Sequence, residues 1–331
     1  MPTAPTALAT SHDLFAGLAQ APTGYGVATR SVRCEECGAE VSFTAELTAT
    51  KCSFCGSAKV LNQEASANTI SPEWLLPFGV DKSRASQAFG TWLTKLWFRP
   101  SDLKQLATVQ EVGGVYVPFW TYNAHAQSDW TADRGHHYNV DEEHSEEENG
   151  RTVTRTRRVQ KTRWEAAAGN RDDDYVDILV CASRGLPSDL VLEIKTFDTQ
   201  QLVAYQPQYL AGWSAERYAI DLKAGWETAK SHIEAEQENR CGKDVGGDTH
   251  RDLVVQSRLS DLRYKHVLLP VWIAAYRYRQ KVYRFLVNGQ TGEVVGKAPF
   301  SVAKITLFVL FVAALIAALV LLFSQHQTPQ H

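Results

Sequence analysis

A run of 19 uncharged residues, Ile305–Phe323 (ITLFVLFVAALIAALVLLF), constrains this chain more than any other feature. Wound as an α-helix it spans about 28 Å, close to the ~30 Å hydrocarbon core of a bilayer. It lacks the polar stripe that a helix lying on a soluble core would carry. Lys297 and Lys304 precede the run, and the tail after it, SQHQTPQH, has no Lys or Arg. The positive-inside rule then places the preceding residues in the cytoplasm, with a single pass through the cell's inner membrane. The expected span is 302–323, followed by a short tail, 324–331. Ala313 with Ala317, and Ala314 with Ala318, make small-xxx-small pairs through which two helices could approach, so a homodimer is one expectation.

The first 29 residues are rich in Ala, Thr and Pro, with no basic residue before Arg30 and no long apolar run. A signal peptide is not expected there, and residues 1–29 read as a disordered arm. Over the whole chain, 44% hydrophobic and 21% charged residues describe a protein that mostly buries a core. The net charge of −3 excludes a polybasic binder.

Four of six cysteines fall in one window: Cys34-Glu-Glu-Cys37-Gly, then Cys52-Ser-Phe-Cys55-Gly. Two residues between thiolates allow both to reach one ion from a tight knuckle, and a glycine after each pair supplies the backbone freedom. A reducing cytosol argues against a disulfide framework. The expectation is one structural Zn²⁺ held by Cys34, Cys37, Cys52 and Cys55, with rubredoxin-type iron as the competing metal. With all four positions filled by protein, no open position remains for a catalytic water. In the module, residues 30–61, positions 33–60 hold Arg33, Lys51 and Lys59 against Glu35, Glu36, Glu40 and Glu46, and four thiolates on one Zn²⁺ add further negative charge. That is the wrong sign for gripping phosphates and favours a protein partner.

Residues 62–70 read as a linker, and 71–301 as a larger α+β domain. Asp81 and Asp221 could each cap a helix with apolar residues at helical spacing. Pro100 would end the first helix, and Gly242 would follow the second. Val115–Asn123 and Trp130–Val140 read as strands, and NGQTG between Val282–Val287 and Glu293–Val295 as a hairpin. Without regular βαβ alternation the class is α+β rather than a doubly wound sheet. An echo links Val117-Pro-Phe-Trp-Thr-Tyr122 to Leu269-Pro-Val-Trp-Ile-Ala-Ala-Tyr276, with Leu76-Pro-Phe78 beginning similarly. Two related β units would explain it, and so would the separate use of Pro at strand entries.

Residues 141–148, DEEHSEEE, contain the letters of a DExH helicase box, yet no G-x-x-x-x-G-K-[ST] phosphate loop occurs. A solvated acidic loop is the simpler reading. The next stretch carries Arg151, Arg155, Arg157, Arg158, Lys161 and Arg163 without an acid. It is either a basic stripe for nucleic acid or anionic lipid, or a solvated hairpin whose acidic tip neutralises it; the hairpin is favoured. His125, His136, His137 and His144 sit near acids and raise a second metal site, without any standard ligand spacing. Cys181, in DILVCAS, reads as a core thiol, and Cys241 as following a helix end. No catalytic residues and no bound organic cofactor are expected.

CEECGAEVSF…KCSFCGSAKV, LWFRPSDLK, GGVYVPFW, RWEAAAG, LVAYQPQYLAGWSAERYAIDL, LLPVWIAAYRY and YRFLVNGQTGEVVG together resemble a group of uncharacterised bacterial membrane-anchored zinc-ribbon proteins. The group is often labelled TFIIB-type zinc ribbon, or primosomal protein N′-like superfamily II helicase. The resemblance covers residues 30–300 and implies work beside flotillin-like and phage-shock-type membrane-stress scaffolds. The function expected is that of a membrane-anchored cytosolic binding or scaffold protein without an ATPase motor. The alternatives are a nucleic-acid-binding protein of replication or transcription, and an unrecognised α+β enzyme.

Overall fold

The computed structural model describes residues 9–20, 29–35, 40–44, 52, 57, 59–64, 70–95, 97–103, 108–109, 112–148, 151–186, 188–194, 196–210, 212–278 and 281–326. The chain begins with β1 (His12–Asp13), α1 (Leu14–Gln20), β2 (Thr29–Cys34), β3 (Glu40–Thr44), β4 (Val60–Glu64), β5 (Trp74–Leu75) and α2 (Lys82–Lys95). It continues through β6 (Thr108–Val109), β7 (Gly113–Glu148), β8 (Arg151–Cys181), α3 (Ser188–Glu193), β9 (Val203–Ala204) and β10 (Ser214–Glu216). The last elements are α4 (Leu222–Val245), β11 (Thr249–Tyr278), β12 (Lys281–Asn288), β13 (Val294–Gly296) and α5 (Val302–His326). The class is mixed α+β, with a sheet-rich body.

Three long antiparallel strands form the spine. β7 lies between β8 and β11, and β12 and β13 follow beyond β11. Three aspartates with positive φ, Asp177, Asp252 and Asp261, mark the places where the long ladders lose register. Asp tolerates the left-handed region better than most residues, so it suits these bulges. Asp177 also pairs with Lys265 at 2.5 Å, and Lys265 is only 5% exposed.

The body is built twice from one pattern: short strand, helix, long strand, return strand. The first copy is β5, α2, β7 and β8; the second is β10, α4, β11 and β12. The copies interlock, because each short strand and helix packs on the long strand of the other. β5 runs parallel to β11 at Val267 and Leu268, and β10 runs parallel to β7 at Val115 and Tyr116. Asp81 caps α2 through the Arg84 N–H, and Asp221 caps α4 through the Ala224 N–H, both at 2.8 Å. The residue before each cap accepts an indole N–H from the other copy's long strand: Trp272 donates to the Val80 carbonyl and Trp120 to that of Ile220. The N–H groups of Gly79 and Val80 share the Gly289 carbonyl, as those of Ala219 and Ile220 share that of Ala182. The N–H of Gly289 reaches the Pro270 carbonyl, and that of Ala182 the Pro118 carbonyl. A local two-fold axis therefore passes through the Val117–Leu269 pair, where the two Pro-containing segments face each other.

Helix α4 approaches its strand closely at Gly225, where a Cβ would run into the Tyr122 hydroxyl. The helix runs past Gly242 to Val245, so Cys241 lies inside it and is buried, rather than following its end. Helix α2 ends at Lys95, before Pro100.

Two expectations change in the first 64 residues. Residues 12–20 are structured, not an arm: β1 pairs with β11 at Tyr264 and Arg263, and Leu14 is 1% exposed among Trp120, Tyr122 and Tyr264. Residues 62–64 of the expected linker belong to β4, which pairs with β2. The β2–β3–β4 sheet joins the body, since β3 pairs with β10 and Val32, Cys34 and Cys52 share a core with Val115 and Val117.

Candidate functional site

The cysteine region brings its two halves together through main-chain pairing. Cys34 ends β2 opposite Val60, the Glu35 N–H donates to the Lys59 carbonyl, and the Cys52 N–H donates to that of Ser57. The first thiol of each pair is buried, at 1% exposure for Cys34 and 6% for Cys52. Cys37 and Cys55 lie outside the described residues. Among the described residues, no group of three or more His, Cys, Asp and Glu side chains could hold a metal ion. The chemistry of two buried thiols, each with a second cysteine three positions on, fits a soft divalent ion.

The four histidines considered for a second metal are strung along β7. His125 meets Asp174 at 2.7 Å, and that hydrogen bond holds its pKa above the usual histidine range. His136 meets Glu165 at 3.2 Å, and His137 meets Thr162 at 3.0 Å. His144 lies further along the same strand.

DEEHSEEE is the last stretch of β7 rather than a loop, and the basic run is the start of β8. Asp141 stands opposite Arg158, Glu142 opposite Arg157, and Glu148 opposite Arg151. Lys161 closes on Glu142 at 2.5 Å, and Arg158 on Asp141 at 3.3 Å. The Lys161 contact holds the Glu142 carboxyl below its ordinary range and the lysine above its own. Asp141 and Glu142 thus neutralise Arg158 and Lys161 across the hairpin.

Helix α5 is the only one of the described helices long and apolar enough to cross a membrane. Its window Val302–Val320 has a mean hydropathy of 2.6, and none of it is buried in the protein. It touches the body near its start, where Phe308 meets Phe98 edge-on at 5.3 Å and Lys304 Nζ reaches the Trp97 carbonyl.

Some polar features had no sequence signal. His266 is fully buried beside Trp120 and Tyr218, and its Nδ1 donates to the Ile70 carbonyl. Burial pushes its pKa down to about 4, so the ring is neutral. Arg171, Asp173, Arg240 and Asp244 tie β8 to α4 through contacts of 2.5 to 2.8 Å. The contacts between the two elements are placed by tertiary structure, and within α4 Glu236 and Arg240 pair one turn apart at 2.8 Å.

Together these features define a sheet-rich α+β protein with one helix able to cross a membrane. The chain belongs to the family of the bacterial protein described as "Uncharacterized protein YdjG", from Bacillus subtilis (strain 168). The two are 30% identical over 326 residues, which cover 83% of this chain and 92% of that protein. No family model matches the chain. No solved structure matches it either.

Proposed function

We propose that the chain is a membrane-anchored binding or scaffold protein. Its body lies on the cytoplasmic side of the cell's inner membrane, α5 is its single span, and its ligand is another protein. The observation that carries the reading is α5: a helix with an uncharged run of 19 residues that the body does not cover. Lys297 and Lys304 before the span, against no Lys or Arg after it, support the orientation. The ribbon in this reading holds one structural Zn²⁺ on Cys34, Cys37, Cys52 and Cys55. The ion would staple the knuckles to the β2–β3–β4 sheet and contribute no reaction step.

Nucleic acid is the less favoured ligand, because Arg151, Arg157 and Arg158 of the basic run stand opposite Glu148, Glu142 and Asp141 on β7, and Lys161 pairs with Glu142. The helicase reading has no phosphate loop to stand on.

Removing residues 302–331 tests the anchor. The truncated chain is expected in the soluble fraction, folded, and unable to retain partners that the full chain captures from membranes. A truncated chain that stays with the membranes refutes the anchor. Equal capture by both forms refutes a membrane-held scaffold.

A further inference from the structure

The two copies of the body pattern each leave a groove between helix and return strand, and the grooves are equivalent places. Val80, Ala88, Trp92 and Thr291 line the groove on α2. Ile220, Thr228, His232 and Arg184 stand at the corresponding positions of the groove on α4. Their linings differ in character. The α2 groove carries Arg84, Gln87, Lys95 and Glu293, and Trp92 lies beside Phe89 and across Gly296. The α4 groove is a cavity of about 440 Å³, walled by Phe119, Leu179, Leu186, Val191 and Ile194. Its size falls in the ~300–1,000 Å³ range of small-molecule sites.

Where the first copy sets a bulky indole, the second sets His232, and where the first has Phe89 on the inner helix face, the second has Ala229. The two grooves are of similar size, about 510 Å³ on α2 and about 440 Å³ on α4, and what sets the second apart is its apolar wall. Arg184 and His232 stand exposed at its mouth, and among the described residues no acidic side chain lines it. The Cys181 thiol, also in the lining, is pushed up by burial and stays protonated, so it adds no negative charge.

We propose that this cavity binds one acyl chain ending in an anionic group, carboxylate or phosphate. The chain lies against the apolar wall, where it is removed from water, and the anion rests at the Arg184 guanidinium. An isolated apolar pocket would take a neutral hydrocarbon equally well; the arginine at the mouth is what selects the charged end. This inference does not depend on the scaffold reading or on the zinc.

The test is photo-crosslinking of the full chain in vesicles of neutral phospholipid. Three sixteen-carbon probes bear the same photoreactive group: a fatty acid, a lysophosphatidic acid and a primary alcohol. The labelled peptides are mapped by mass spectrometry. At least one anionic probe is expected to label residues 179–194 and 220–232, about tenfold more than the alcohol does. The anionic probe that labels identifies the source as free fatty acid or anionic lipid. His232→Trp, which sets an indole into the lining, and Thr228→Leu should each cut that labelling about tenfold. Arg184→Gln should level the acid and the alcohol. Labelling confined to residues 302–320 overturns the proposal. So does labelling that both filling variants leave unchanged, or equal labelling by acid and alcohol in the unaltered chain.

Discussion

Single residues set two responses that can be measured. His266 titrates near 6.5 in an unfolded chain and at about 4 in the fold. Between those values the unfolded chain takes up a proton that the fold refuses. Its contribution is therefore complete above about pH 6.5 and is lost progressively as pH falls toward 4, by roughly 3 kcal/mol. Urea unfolding at pH 7 and pH 4.5 should show the difference shrinking by about that amount in His266→Gln. The second response concerns the metal. Purified protein is expected to hold one equivalent of zinc. Cys34→Ser should lose it and speed amide exchange across residues 29–64, with a smaller effect in β10, the strand that β3 pairs with. Iron in place of zinc would refute the assignment. Sequence made the two cysteine pairs legible because their spacing is local. His266 was not legible, since its environment comes from Ile70, Trp120 and Tyr218, all distant in the chain.

Among the elements, the β7–β8 hairpin is the one whose extent surprised. Beyond the pairing of Thr249 with Gly135, β11 ends and the ribbon continues on two strands alone. Two strands in water are marginally stable, so cross-strand pairs carry this part. Changing Arg157, Arg158 and Lys161 to Glu would set like charges opposite Asp141 and Glu142. The expected outcome is faster amide exchange over residues 136–163, with the body unchanged; high salt should produce a milder form of the same effect in the unaltered chain. Alternation revealed parts of these strands, but Trp130–Val140 looked like a separate strand because Gln127–Asp129 is polar. On a sheet wet on one face, polar residues do not end a strand, and the acidic run at its tip is a strand for the same reason. The helix starts were plain at Asp81 and Asp221, whose carboxylates act on the nearest turn.

At the scale of the whole molecule, the repeated Pro and Trp pattern was the visible trace of the interlocked body. Most of the duplication is carried by main-chain hydrogen bonds, such as those of Gly79 and Ala219, which leave no fixed residue type behind. That is why the sequence echo was short while the structural correspondence extends through helix, cap and return strand. The pairing of β3 with β10 was invisible for a related reason: strands of three to five residues carry too little pattern to reveal a partner far away.

The interlocking also governs the order in which a newly made chain can settle. Strand β5 and helix α2 are synthesised well before the strand on which they dock, β11, which follows more than 150 residues later. Contacts between such distant segments form slowly, because the intervening loop must close first. Until β11 arrives, Trp74, Leu75 and the Phe89 face of α2 lack their native cover, a natural point for a chaperone to act. Since β11 is followed closely by α5, completion of the body and delivery of the apolar helix fall within the same short interval of translation.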